Sequence, residues 1–316
     1  MKKFPFALFV LLLCFFCGCG SANSIKNAND PKIGKEQKDK EVELKIITTN
    51  KLLYSIVKQI VKDKHDVQYL FMSREEEENF DMNSDKTALV NSNDLFVYNG
   101  VGYEVWAQKF IGKLNKNKVG IVNCSRGIKL ISYLNEIKFQ DTVLKENPYY
   151  LYELDNYKVA LLNIKNAIED KDPKNRSFYE DNFNNALKSL EPYEKQFDDI
   201  SEKMKDCLFL TDGEEMDYFL KNTNLKYIKT SKEDKSKLQS KIKDNKNTVF
   251  LYFHDEAFIY NSDIIYKNNI KTYKLNPYTY DEDMFSTLQS NLKTLNEIYD
   301  NLKEDDNVDE TNKEIK

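Results

Sequence analysis

The chain has 316 residues, 41% hydrophobic and 31% charged, with a formal net charge of -5. That length accommodates two ordinary domains, and that polarity excludes a protein embedded in a membrane throughout. Gly (9) and Pro (6) are scarce beside 20 Tyr and 19 Phe, which excludes a collagen-like, linker-rich or disordered chain. The two His, His65 and His254, and five Cys cannot build a zinc site made mainly of imidazole or thiolate. The acidic balance argues against nucleic acid as a partner.

Lys2 and Lys3 precede an apolar run from Phe4 to Phe16. At about 13 residues it suits a cleaved export signal and falls short of the roughly 20 that span a bilayer. The stretch Phe16, Cys17, Gly18, Cys19 resembles the lipobox of bacterial lipoproteins, with Phe16 where Leu is usual and Cys19 as the lipidated residue. An ordinary secretory signal with incidental cysteines is the other reading. Residues 1–18 are thus expected as leader and 19–42 as a polar tether that holds the protein to the outer face of the membrane. Cys124 and Cys207 remain in the folded part, and their separation in sequence does not pair them.

From Val42 onward, short β-branched runs alternate with helical periodicity, the pattern of α/β layers around parallel sheets. Leu44 to Thr49, Asp66 to Phe71, Asp94 to Tyr98 and Lys118 to Val122 read as strands. Leu52, Leu53, Ile56, Val57 and Ile60 recur at helical spacing, and a second helix-like stretch ends at Asn93. Trp106, Phe110 and Ile111 suit a third. His65 sits in a charged turn and is expected at the surface. These elements make a first βα lobe, 43–171.

Asp172 followed by Pro173 starts a helix. Tyr179, Phe183, Leu187, Leu190, Tyr193, Phe197, Ile200 and Met204 then form one apolar stripe, which predicts a single long helix over 172–206, kinked at Pro192. Two helices broken at Pro192 fit the same residues. The βα pattern restarts over 207–302 with strands at Leu208 to Thr211, Tyr227 to Thr230, Thr248 to Phe253 and Ile270 to Leu275. Helices are expected at Met216 to Thr223, Lys232 to Lys243 and Asp283 to Leu302, before a charged, frayed tail over 303–316. The fold class is α/β, two Rossmann-like βα lobes joined by one long backbone helix.

The block NDLFVYNGVGYEVWAQKF, Asn93 to Phe110, is similar to ADLFVYNGAGLEPWLDK of the substrate-binding lipoproteins of zinc and manganese ABC importers. VNCSRGI, Val122 to Ile128, is similar to that family's VDASKGI, and Leu154 to Leu190 resembles the region leading into its long backbone helix. The resemblance spans roughly Glu43 to Leu302. It implies a periplasmic-binding-protein-like body of the helical backbone type, with a divalent metal ion, manganese or zinc, held between the lobes as cargo. It also implies an ABC permease as membrane partner and a monomer as the working unit.

Carried across motif by motif, the family's first histidine ligand falls on Glu78, the second on Tyr149, the third ligand on Gly213 and the fourth on Asn276. Gly213 has no side chain, so its neighbour Glu214 takes that place if the loop shifts by one residue. Glu78 offers a carboxylate, Asn276 a carbonyl oxygen, and Tyr149 a phenol whose ordinary pKa is about 10. His254 ends a strand at the side where open α/β sheets bind ligands, as an auxiliary donor or as a solvent-facing residue. The metal candidates are therefore Glu78, Tyr149, Glu214, Asn276 and His254. The acidic runs Glu75 to Glu78 and Asp281 to Asp283 read as a solvated face or as an oxygen-rich mouth that attracts cations. No nucleophile motif or phosphate loop points to an enzyme. A surface lipoprotein or adhesin that keeps only the scaffold is the alternative function.

Overall fold

A computed structural model describes residues 42–82, 84–139, 142–278 and 284–314. The leader, the tether with Cys19, and the acidic run 281–283 lie outside the described residues.

The first lobe runs β1 (Lys45–Thr48), α1 (Lys51–Val61), β2 (Asp66–Tyr69), α2 (Arg74–Glu78), α3 (Ser84–Asn91), β3 (Leu95–Tyr98), α4 (Ala107–Ile111) and β4 (Gly120–Asn123). Its sheet has the order β2-β1-β3-β4, with every pairing parallel. Strand β3 reads LFVY and is buried at all four positions, as a strand covered on both faces must be. Leu95 and Val97 enter one core while Phe96 and Tyr98 enter another, following the two-residue period of a strand. Helix α1 begins where the Asn50 side chain accepts from Leu53 N at 3.0 Å.

A hairpin of β5 (Ser132–Phe139) and β6 (Thr142–Glu146) and two long helices follow, α5 (Leu154–Lys171) and α6 (Arg176–Lys203). The second lobe runs β7 (Leu208–Thr211), α7 (Met216–Thr223), β8 (Tyr227–Lys229), α8 (Lys235–Lys243), β9 (Thr248–Tyr252), α9 (Asp255–Tyr260), α10 (Ser262–Lys267), β10 (Lys271–Lys274) and α11 (Met284–Glu314). Its sheet has the order β10-β9-β7-β8, again all parallel. One apolar core joins both lobes, taking Ile46 and Val97 from the first sheet, Phe209 and Leu251 from the second, Leu161 from α5, Leu190 from α6 and Leu288 from α11. Separating the lobes as rigid bodies would expose that apolar surface to water, so the helices restrain hinge motion.

Several expectations change. The hairpin has no counterpart in the sequence reading, and α5 is a separate 18-residue helix with its own buried stripe of Tyr157, Leu161, Ile164 and Ile168. Helix α6 starts at Arg176, after a 3-10 turn at Pro173–Asn175, and runs through Pro192 without a break. The last helix continues to Glu314 instead of ending at Leu302. Cys124 and Cys207 are both buried, and no disulfide joins them.

His65 corrects the surface expectation: it is 4% exposed. Its Nδ1 accepts from Leu44 N at 3.3 Å, which places the proton on Nε2, and Nε2 lies 2.6 Å from Tyr179 Oη. Tyr179 in turn donates to Asp172 Oδ2 at 2.5 Å. The neighbouring Lys62, Asp63 and Lys64 hydrate the turn, while the imidazole turns inward to tie β1 to the start of α6.

Candidate metal-binding cleft

The strands of both sheets are parallel, so their carboxyl ends supply the loops that line the cleft between the lobes. In the first lobe the loop after β3 takes left-handed backbone at Gly100 (φ 84°), Val101 (φ 56°) and Gly102 (φ 76°). A Cβ on Gly100 would come within 2.4 Å of Asn123 Oδ1, so no larger residue fits there. Glu104 folds back into this loop and accepts from Asn99 N (2.8 Å), Gly100 N (2.9 Å), Asn99 Nδ2 (3.0 Å) and Thr49 Oγ1 (2.8 Å). These bonds staple the loops after β1 and β3 together.

The segment 147–152 is bound to both lobes. Tyr150 Oη donates to Asn99 O at 2.8 Å, and Asn147 Nδ2 donates to Glu214 O at 2.6 Å. Tyr149 follows from this connector into the cleft. Its ring meets Tyr103 edge-on at 6.1 Å and lies 5.7 Å from Tyr152, which is 4.1 Å from Tyr278. Burial first, then the charge of Glu215, pushes the Tyr149 phenol well above its ordinary range. The tyrosines and Asn50, Leu52, Asn99 and Leu151 enclose a cavity of about 20 Å³. That is room for one water-sized occupant.

Ser73 caps α2, accepting from Glu76 N at 3.1 Å, and so sets which glutamates of the acidic run face inward. Glu77 is 1% exposed, and Glu78 projects outward with 40% of its side chain accessible. Arg74 bridges them: Nη1 lies 3.3 Å from Glu77 Oε2, and Nε donates to Glu78 Oε1 at 2.9 Å. Nη1 also donates to Tyr103 O at 3.2 Å, and the guanidinium covers the Tyr103 ring at 4.7 Å from its centroid. Burial, and then the nearby charge of Glu104, pushes the Glu77 carboxyl up to about 8. Glu77 Oε1 and the Trp106 indole nitrogen are both buried without a well-formed hydrogen bond.

On the second lobe Glu214 turns away from the tyrosines. Its carboxylate pairs with Lys229 at 2.5 Å, and Lys229 also binds Asp217 at 2.6 Å. Burial holds Asp217 at about 6 despite that lysine. Glu215 takes the cleft position instead: its charge acts on Tyr103, Tyr149 and Tyr152, and its Oε2 lies 3.0 Å from His254 Nε2. Asn276 is exposed and committed to α11, donating from Nδ2 to Ser290 Oγ at 3.0 Å and from its backbone N to Asn291 Oδ1 at 2.7 Å. The fold thus brings Tyr149 and His254 near the cleft carboxylate Glu215, and holds Glu78 on Arg74, Glu214 on Lys229 and Asn276 on α11. Arg74, Tyr103 and Glu215 escaped the sequence reading, and Glu77 entered it only as part of the acidic run, although Ser73 as cap and Phe80 three residues beyond Glu77 mark the inward face of α2.

Among the described residues, no group of three or more His, Cys, Asp or Glu converges to hold a metal ion. A depression of about 460 Å³ beside Glu215 and His254 adjoins the site, and another of about 720 Å³ lies beside α5, α6 and α7, where Glu153 is already neutralised by Lys221 at 2.7 Å. The donor set at the cleft is oxygen-rich with a single imidazole, which suits a hard cation better than a tetrahedral nitrogen and sulfur site.

The family model of the zinc-uptake complex component A, periplasmic, matches residues 46–297. The chain belongs to that family. It is 27% identical over 267 residues to the high-affinity zinc uptake system protein ZnuA of Bacillus subtilis, covering 79% of this chain and 81% of that one. It is 30% identical over 216 residues to the manganese ABC transporter substrate-binding lipoprotein PsaA of Streptococcus pneumoniae, covering 65% of this chain and 64% of that one. Among solved structures, the metal-dependent lipoprotein YcdH of Bacillus subtilis superposes with a TM-score of 0.61 at 23% identity, over 83% of this chain and 99% of that one. Zn(II)-bound AdcA of Streptococcus pneumoniae gives 0.63 at 20% identity, over 82% and 58%. These structures share the two-lobed fold. The family consists of substrate-binding proteins of metal importers that act outside the cytoplasmic membrane with a membrane permease, and not of enzymes.

Proposed function

We propose that this protein is the solute-binding component of an ABC importer for a divalent metal ion, manganese or zinc. It acts as a monomer held to the outer face of the membrane by a lipid on Cys19. Membership of the metal-uptake family across both lobes is the observation that carries the reading, and the oxygen-rich groups around Tyr149 and Glu215 support it. The donors we assign are Glu77 or Glu78 from the first lobe, Tyr149 from the connector, and Glu215 with His254 from the second. Glu214 and Asn276 join them only if their present partners, Lys229 and Ser290, release them. The test is metal analysis of protein purified without chelator, followed by calorimetric titration with manganese and zinc. Bound ion or heat supports the reading, and neither with either cation overturns it.

A further inference from the structure

The first-lobe wall of the cleft already holds a cation, and it belongs to the protein. The Arg74 guanidinium is bound by Glu77 Oε2 (3.3 Å), Glu78 Oε1 (2.9 Å) and the Tyr103 carbonyl oxygen (3.2 Å). Two carboxylates and a carbonyl are the oxygen types that a hard divalent ion takes as ligands. Glu77 itself is held loosely: its Oε1, on a side chain 1% exposed, faces the Trp106 indole without a well-formed hydrogen bond. The Arg74 side chain is 36% exposed, so it can swing into water without unpacking the core. A divalent ion brings twice its charge to the same oxygens.

We infer that Arg74 is a resident cation occupying the cleft's cation seat, and that metal is captured by displacing its guanidinium from Glu77, Glu78 and the Tyr103 carbonyl. Without cargo, Arg74 holds the two carboxyl groups and the Tyr103 carbonyl together. With cargo, its displacement is subtracted from the affinity, so this residue sets the concentration at which the protein fills. The inference rests on the metal-receptor reading above.

Calorimetric titration of the metal-free full chain with manganese and zinc tests it, comparing wild type with Arg74→Gln and Arg74→Lys. Arg74→Gln removes a positive charge beside the ion and is expected to bind on the order of tenfold tighter or more. Arg74→Lys keeps the charge and is expected to stay close to wild type. Equal or weaker binding by Arg74→Gln overturns the inference and leaves the metal-receptor reading standing. Silence from wild type and Arg74→Gln alike overturns both, and heat from Arg74→Gln alone supports the inference. A second measurement needs no variant: phenylglyoxal labelling of wild type, mapped by peptide mass. Labelling at Arg74 is expected to rise when metal is added, and unchanged or reduced labelling overturns displacement.

Discussion

Two buried polar networks lie at opposite ends of β2, and they are finished to different degrees. At its amino end, Leu44 N, His65, Tyr179 and Asp172 form a directed chain of hydrogen bonds, and Asn175 Nδ2 adds a further donor to Asp172 at 2.7 Å. Beyond its carboxyl end, Arg74 holds Glu77 by one oxygen while Glu77 Oε1 and Trp106 Nε1 stay unsatisfied. A buried polar atom without a partner costs free energy, so a fold that keeps one must be compensated elsewhere. The first network holds the long helix to the first sheet. The second lies at the mouth of the cleft, where Glu77 and the Trp106 indole meet without a well-formed hydrogen bond.

The largest expected effect comes from breaking the finished network. Tyr179→Phe removes the hydroxyl between His65 and Asp172, leaving His65 Nε2 without that partner and Asp172 Oδ2 with Asn175 alone, at a cost of about 2–3 kcal/mol in urea unfolding. Glu77→Gln replaces a carboxyl that the folded chain already holds protonated near neutral pH, so it should cost far less. If both variants lost equal stability, the contrast between the networks would collapse.

The two networks should also respond to pH with opposite signs. Burial holds His65 below the ordinary imidazole range, and the charge of Asp172 opposes it only in part. Its contribution is therefore present above that range and is lost as pH falls through the depressed folded value. Glu77 is raised from about 4.5 to about 8, so the folded chain keeps a proton there that the unfolded chain releases. That contribution is complete below about 4.5 and is lost as pH rises through about 8. Melting temperatures of metal-free protein across this range should show His65→Gln flattening the acid limb and Glu77→Gln the alkaline limb. An exchange of limbs would contradict the assignment.

The smallest effect on stability belongs to His254→Ala. Its pair with Glu215 is well exposed on the histidine side, so the loss should stay under about 0.5 kcal/mol. Metal affinity should fall all the same, by about tenfold for one lost donor. A variant that titrates as wild type does would remove His254 from the donor set.

The strands at Leu44 to Thr49 and Asp94 to Tyr98 were legible because a strand buried on both faces needs an unbroken apolar run. The stripe from Tyr179 to Met204 was legible because a helix packed on one side repeats its apolar residues every three or four positions. The hairpin was harder: β5 reads SYLNEIKF, in which apolar and polar residues do not alternate strictly, and its register shifts between Ser132 and Ile137. Within Glu75 to Glu78, four identical residues carry no phase. One step along a helix turns a side chain by about 100°, and only the cap at Ser73 and the packing around Trp106 select Glu77 over Glu78.

Local patterning thus determined the layers, the parallel sheets, the connecting helix and the family, since each depends on a repeat or motif contained within a few turns of chain. Contacts between distant positions decided the rest. His65 is buried because Tyr179, 114 residues away, supplies its partner. Glu215 enters the cleft while Glu214 leaves it, because Lys229 claims one carboxylate and His254 the other. Which side chain faces a site depends on partners that fold to it across the chain, and adjacent residues of the same kind do not record that choice.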